Sequence, residues 1–145
     1  MPTRIRGLAE IVLTTHDMAS ALRFYRETLG LEQISPTERA SPVFLRAGRA
    51  AVGIPQMLVL VQLPPEAGAF QRPRTLHHLA LEVAPEDFDA EKARLEGLGF
   101  QVRSGQHPVI PSRTIYVDDP MGNEVELICA LSSAGRAADP SLRSG

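Results

Sequence analysis

The chain has 145 residues, 43% hydrophobic and 22% charged, which is enough for one compact domain with its own core and too apolar for a disordered chain. A formal net charge of -2, with Lys and Arg scattered rather than massed, argues against nucleic acid as a partner. The single cysteine, Cys129, excludes an internal disulfide and a cysteine-based zinc cluster, and inside an apolar run it reads as a small buried hydrophobe.

Met1 to Gly7 is short and polar with two arginines, and no apolar stretch approaches the ~20 residues of a membrane span, so a cytoplasmic location is expected. Leu8 to Thr15 reads as a strand, with Ala9, Ile11 and Leu13 on one face and Leu8, Glu10 and Val12 on the other. Asp17 then offers an N-cap for a helix in which Met18, Leu22, Tyr25 and Leu29 recur at helical spacing, and Gly30 supplies the stop. His16, just ahead of the cap, reads as a surface turn residue. Short strands follow at Leu31 to Ile34, Val43 to Arg46 and Met57 to Leu63, so the first half is βαβββ. Pro64 to Arg74, with its prolines, glycine and mixed charge, is a connection.

The second half repeats that order. Leu76 to Val83 is a strand, Pro85 opens a helix lined by Phe88, Leu95 and Leu98, and Gly99 ends it. Phe100 to Arg103, Arg113 to Val117 and Glu124 to Ala130 supply three more strands. An offset of about 68 lays Glu10 on His78, and nearly the same offset lays Gly30 on Gly99, with few identities but matching punctuation. Each half is a small sheet with a helix on one face and a second face that needs a partner, so pairing the halves encloses a cleft. The expected domain is residues 1–131, with modules at about 7–64 and 75–130. The remaining residues, 132–145, are rich in Ser, Ala, Gly and Arg and read as a tail without chemistry.

The faces that cover the helices are assigned Ile11, Leu13, Leu79, Leu81, Val125 and Leu127. The opposite face then carries Glu10, His78, Glu124 and Glu126. Ionisable groups there are costly unless paired, protonated or bound to a metal, and a divalent cation would relieve that cost. Asp118 to Asn123 is built from turn residues and sets the register of the strand bearing Glu126. His77 reads as structural, pointing to the helix side or the strand start. Arg113 is available to hold an anion or to serve as a solvated strand-end residue.

Glu10 to Thr15 followed by Asp17, the run from Phe24 to Leu31, the run from His78 to Val83 and the run from Asp119 to Leu127 together resemble the vicinal oxygen chelate superfamily. That group contains glyoxalases, bleomycin-resistance proteins and extradiol dioxygenases. The resemblance covers nearly the whole chain, from Leu8 to roughly Ala130. It implies an α+β fold of paired βαβββ modules that form a cupped mixed sheet around a central cleft. It also implies one divalent metal ion, such as Fe2+, Mn2+ or Zn2+, held by Glu10, His78 and Glu126, a small-molecule substrate and a homodimer. Glu10 stands where the family commonly has histidine, and one nitrogen with two carboxylates suits manganese, magnesium or zinc as well as iron. Val59 occupies the place of a fourth ligand used by glyoxalase-like members.

From Gly105 onward the run Gly105-Gln106-His107, then Tyr116, then Asp119 to Gly122, then Glu126 resembles the extradiol ring-cleavage signature. That resemblance implies catalytic roles for His107, as acid or base, and for Tyr116, as a hydrogen-bond partner of the substrate. Three functions follow as expectations. One is a metal-dependent enzyme leaning to extradiol cleavage. Another is a glyoxalase- or epimerase-like isomerase or lyase that uses the metal as a Lewis acid. The third is a drug- or metabolite-sequestering protein without catalysis. The absence of tryptophan and an aromatic content of 5% argue against a stacking cleft of the sequestering type.

Overall fold

A computed structural model describes residues 4–131, and the expected tail of residues 132–145 lies outside the described residues. The chain divides into two compact units between Arg72 and Pro73. In the first, β1 (Glu10–Thr15) leads through α1 (Met18–Leu22) to β2 (Glu32–Gln33), β3 (Val43–Gly48) and β4 (Gln56–Gln62). The strands lie in the order β1-β4-β3-β2, with β1 and β4 parallel and the other pairs antiparallel. The helix crossover returns the chain, and the two hairpins that follow leave β4 running alongside β1 in the same direction.

Asp17 caps α1 as its chemistry requires. The Ser20 backbone N–H donates to Asp17 Oδ1 at 3.2 Å, and the Ser20 hydroxyl donates to Oδ2 at 2.7 Å. The expected single helix is α-helical only to Leu22. Arg23–Thr28 then forms a wider π-helical turn, in which the Leu29 N–H reaches back to the Phe24 carbonyl at 2.8 Å. The adjacent Phe24 and Tyr25 are both buried there, with their rings edge-on at 4.9 Å. Leu13, Leu45, Leu58 and Leu60 are buried on one face of the sheet, while Glu10, Val12 and Thr14 of β1 are exposed on the other. The alternation expected of β1 is therefore observed.

The second unit repeats the plan with β5 (Leu79–Glu82), α2 (Phe88–Gly97), β6 (Arg103–Gly105), β7 (Ser112–Asp118) and β8 (Glu124–Ala130). Its strand order is β5-β8-β7-β6, again with the first and last strands parallel. The fold is α+β with two βαβββ modules, each a mixed four-stranded sheet. Leu79, Phe88, Leu95, Ile115, Val117, Val125 and Leu127 are buried, which matches the alternation expected for the helix-covered face. Among the described residues no helix is long and apolar enough to cross a membrane.

Three local expectations are corrected. β5 begins at Leu79 rather than Leu76, because its pairing with β8 starts at Leu79 opposite Val125. β6 spans Arg103–Gly105 rather than Phe100 to Arg103. The Phe100 N–H is still bonded to the Leu95 carbonyl at 3.1 Å as part of the closing turn of α2. Leu98, placed in the core by periodicity, is 57% exposed, because it stands at the C-cap where the chain leaves the helix.

Candidate metal centre

The centre is built from the turn that precedes β8. Asp119 accepts the backbone N–H groups of Met121 and Asn123 on Oδ1, at 2.9 and 2.7 Å, and the Asn123 side-chain amide on Oδ2 at 2.9 Å. Arg74 spans from the segment ahead of β5 to the same turn. It donates to Asn123 Oδ1 at 3.0 Å and to the Met121 carbonyl at 2.7 Å. One clamp therefore fixes both the approach to His78 and the start of the strand that carries Glu126.

Register sets which side chains meet. Glu126 pairs with Ala80 on β5 and with Tyr116 on β7, and Tyr116 pairs with Arg103 on β6, so these positions share one face. Glu126 is 3% exposed. Its Oε1 lies 3.1 Å from His78 Nε2, and its Oε2 is buried without a hydrogen-bond partner among the described residues. The other ring nitrogen of His78, Nδ1, lies 2.8 Å from His77 Nδ1. The Tyr116 ring stands edge-on to His78 with centroids 6.0 Å apart.

Glu124, two residues earlier on the same face, has a different partner. Arg103 donates from Nη2 to Asp118 Oδ1 at 2.8 Å and to Glu124 Oε2 at 3.0 Å. These bonds to Asp118 and then Glu124 push the guanidinium above its ordinary range, so it is a permanent cation shared by the two carboxylates. His77, His78 and Glu124 can bring ligand atoms within 4.8 Å of one another, but the guanidinium already engages Glu124. Among the described residues Glu126 has no such cation, and a buried carboxylate with an orphaned oxygen is costly. The donor set of His78 and Glu126, one imidazole nitrogen and one carboxylate, therefore fits a divalent cation.

The remaining expected site residues are placed as follows. Tyr116 joins the His78–Glu126 pair. His107 lies in the loop between β6 and β7, where its Nδ1 accepts the backbone N–H groups of Val109 and Ile110 at 3.1 and 2.9 Å. Nε2 is its second ring nitrogen. Glu10 is exposed at the first residue of β1, in register with Met57, in the first unit. Arg113 points to the other face of its sheet from Tyr116. It pairs with Asp89 at 2.8 Å and lies 4.4 Å over the Phe88 ring, which removes it as a free anion holder. Its guanidinium is pushed up by Asp89, whose own carboxyl is held below the usual range by that same contact.

Three further residues shape the site. His77, expected to be structural, contacts His78, and the pair of histidines ahead of a strand is the signal that marks it. Arg74 sits in a connection whose composition carries no such signal. Gly105 belongs to the ring-cleavage-like run, and its role is steric. A Cβ there would overlap the Tyr116 ring and sit 3.0 Å from Thr114 Oγ1, so the aromatic ring rests against bare backbone.

The family model described as the Glyoxalase/Bleomycin resistance protein/Dioxygenase superfamily matches residues 7–127. No curated protein matches the chain. Among solved structures, a glyoxalase/dioxygenase from Nostoc punctiforme superposes with a TM-score of 0.69 at 22% identity, covering 91% of this chain and 96% of that one. The lactoylglutathione lyase from Agrobacterium tumefaciens gives a TM-score of 0.61 at 28% identity, covering 88% and 95%. The oxidase ChaP-H2 gives 0.63 at 22% identity, covering 90% and 98%. With the matched family model spanning most of its length and both βαβββ modules in place, this chain belongs to the Glyoxalase/Bleomycin resistance protein/Dioxygenase superfamily, the vicinal oxygen chelate proteins.

Proposed function

We propose that the protein is a divalent-metal-dependent enzyme acting on a small, vicinally oxygenated substrate, with extradiol-type ring cleavage as the leading chemistry. One observation carries this reading: Glu126 is buried, bonds His78 through one oxygen and leaves the other without a partner. His78 and Glu126 would hold the ion, and the sequence resemblance adds Glu10 as a third ligand. The bound ion would supply Lewis-acid polarisation of the substrate oxygens and, as ferrous iron, access to O2. The Tyr116 hydroxyl would hold a substrate oxygen by a hydrogen bond. His107, with Nδ1 engaged by two backbone N–H groups, carries its proton on Nε2 when neutral and would act there as donor or acid.

Isomerase or lyase chemistry is the second reading. It is favoured by the same partnerless oxygen, which could take a proton from carbon next to a carbonyl. A relative of that chemistry by its printed name is the lactoylglutathione lyase similar to this chain. A cytoplasmic homodimer is the proposed working form, and the one buried cysteine suits a reducing compartment.

The test is oxygen consumption by protein reconstituted anaerobically with Fe2+ and then given a panel of catechols. Ring cleavage is expected to yield yellow products with stoichiometric O2 uptake, and His78→Ala should abolish it. Metal retention without O2 uptake, together with isomerisation of hemithioacetals, would favour the second reading. Protein that binds no divalent ion at all would refute both.

A further inference from the structure

We propose that His77 is a positioning residue that holds the His78 ring in the orientation needed to present Nε2 to the metal. The inference rests on the reading of His78 and Glu126 as ligands. His77 and His78 precede β5, where the strand ladder has not yet begun, so backbone pairing does not restrain them. The His78 side chain is 34% exposed and has room to turn. An imidazole that rotates by half a turn about its Cβ–Cγ bond exchanges the places of its nitrogen and carbon edges, and only one orientation directs Nε2 at Glu126.

The observed orientation has a specific restraint. His77 Nδ1 lies 2.8 Å from His78 Nδ1, with the rings edge-on at 73° and 5.0 Å between centroids. Two nitrogens that close share a proton, whichever ring carries it. That bond uses the nitrogen of His78 that faces away from Glu126, and it leaves Nε2, 3.1 Å from Glu126 Oε1, as the ligating atom. Partners of this kind fix the tautomer and the ring angle of a metal-bound histidine. His77 itself is exposed and takes no part in the core, so its contact with His78 is not a by-product of packing.

The test is titration of the full chain with Co2+, followed by its visible absorption and by paramagnetically shifted imidazole resonances. His77→Ala should weaken binding by about 10- to 100-fold, the loss typical when such a partner is removed. His77→Asn, whose amide can occupy the place of Nδ1, should recover most of the affinity, and His77→Phe, which keeps bulk without a hydrogen bond, should not. One bound imidazole is expected per ion. Unchanged affinity in both His77→Ala and His77→Phe would overturn the proposal while leaving the metal site standing, as would two bound imidazoles. Full Co2+ binding by His78→Ala would instead remove the metal site itself and the proposal with it.

Discussion

Replacing Glu126 with glutamine tests the electrostatic logic of the site most directly. The substitution keeps shape and volume but removes the charge from a side chain that is 3% exposed. Without metal, the wild-type carboxylate has one oxygen on His78 and one orphaned. An unsatisfied buried acceptor costs about 1–3 kcal/mol and more when it is charged, while the charge-assisted bond to His78 returns about 1.5–3 kcal/mol, so the metal-free carboxylate is left at a net cost. Metal-free Glu126→Gln should therefore be no less stable than the metal-free wild type. Metal reverses the comparison. An ion at 100 times its Kd stabilises the protein that binds it by about 2.7 kcal/mol. For a fold of this size that is roughly a 10 °C rise in Tm. Differential scanning fluorimetry with Mn2+, Fe2+, Co2+ and Zn2+ in turn should show the rise for wild type and none for Glu126→Gln. A variant that keeps the full shift, or a wild type that responds to none of the four ions, would refute the assignment of Glu126 as a ligand.

Two further outcomes follow from the same structure. Gly105→Ala should push the Tyr116 ring off its seat and destabilise the protein by about 1–3 kcal/mol, the usual cost of overpacking, while leaving Co2+ affinity unchanged. An unaltered Tm on chemical and thermal denaturation would show that the ring has free space to move. Asp17→Ala should remove the cap of α1, and its effect should depend on pH. The Ser20 hydroxyl, and then the Ser20 backbone N–H, hold the Asp17 carboxyl below its ordinary 3.8. A depressed folded-state value means that the stabilisation is fully present above the ordinary aspartate range and is lost as pH falls through the folded value. Urea unfolding should therefore separate wild type from Asp17→Ala at pH 7 and bring them together well below pH 4, and equal gaps at both would contradict the capping role.

Much of the fold was legible because its signals are local. Asp17 followed by a spaced apolar stripe, Gly30 and Gly99 as stops, and alternating runs such as Ile11 to Thr15 act through the backbone within a few residues. The boundaries that moved were those decided elsewhere. Phe100 stayed with α2 through its bond to Leu95, and β5 waited for Val125 to supply a partner. The widening of the first helix at Arg23–Thr28 goes with the burial of two adjacent aromatics, Phe24 and Tyr25, which helical periodicity alone does not anticipate.

Local pattern along the chain specifies the repeated βαβββ order, the alternation that puts Glu126 on the face away from the helix, and the turn that sets the register of β8. Which acid keeps an open oxygen is set by strand pairing. Glu124 and Glu126 are equivalent by alternation, yet Arg103 crosses from β6 to pair with Glu124, while Glu126 lies opposite Ala80 and, among the described residues, pairs with His78 alone. Alternation is a property of one strand, whereas the identity of a charge's partner depends on strands brought together from distant parts of the chain, and only their pairing makes the two carboxylates different.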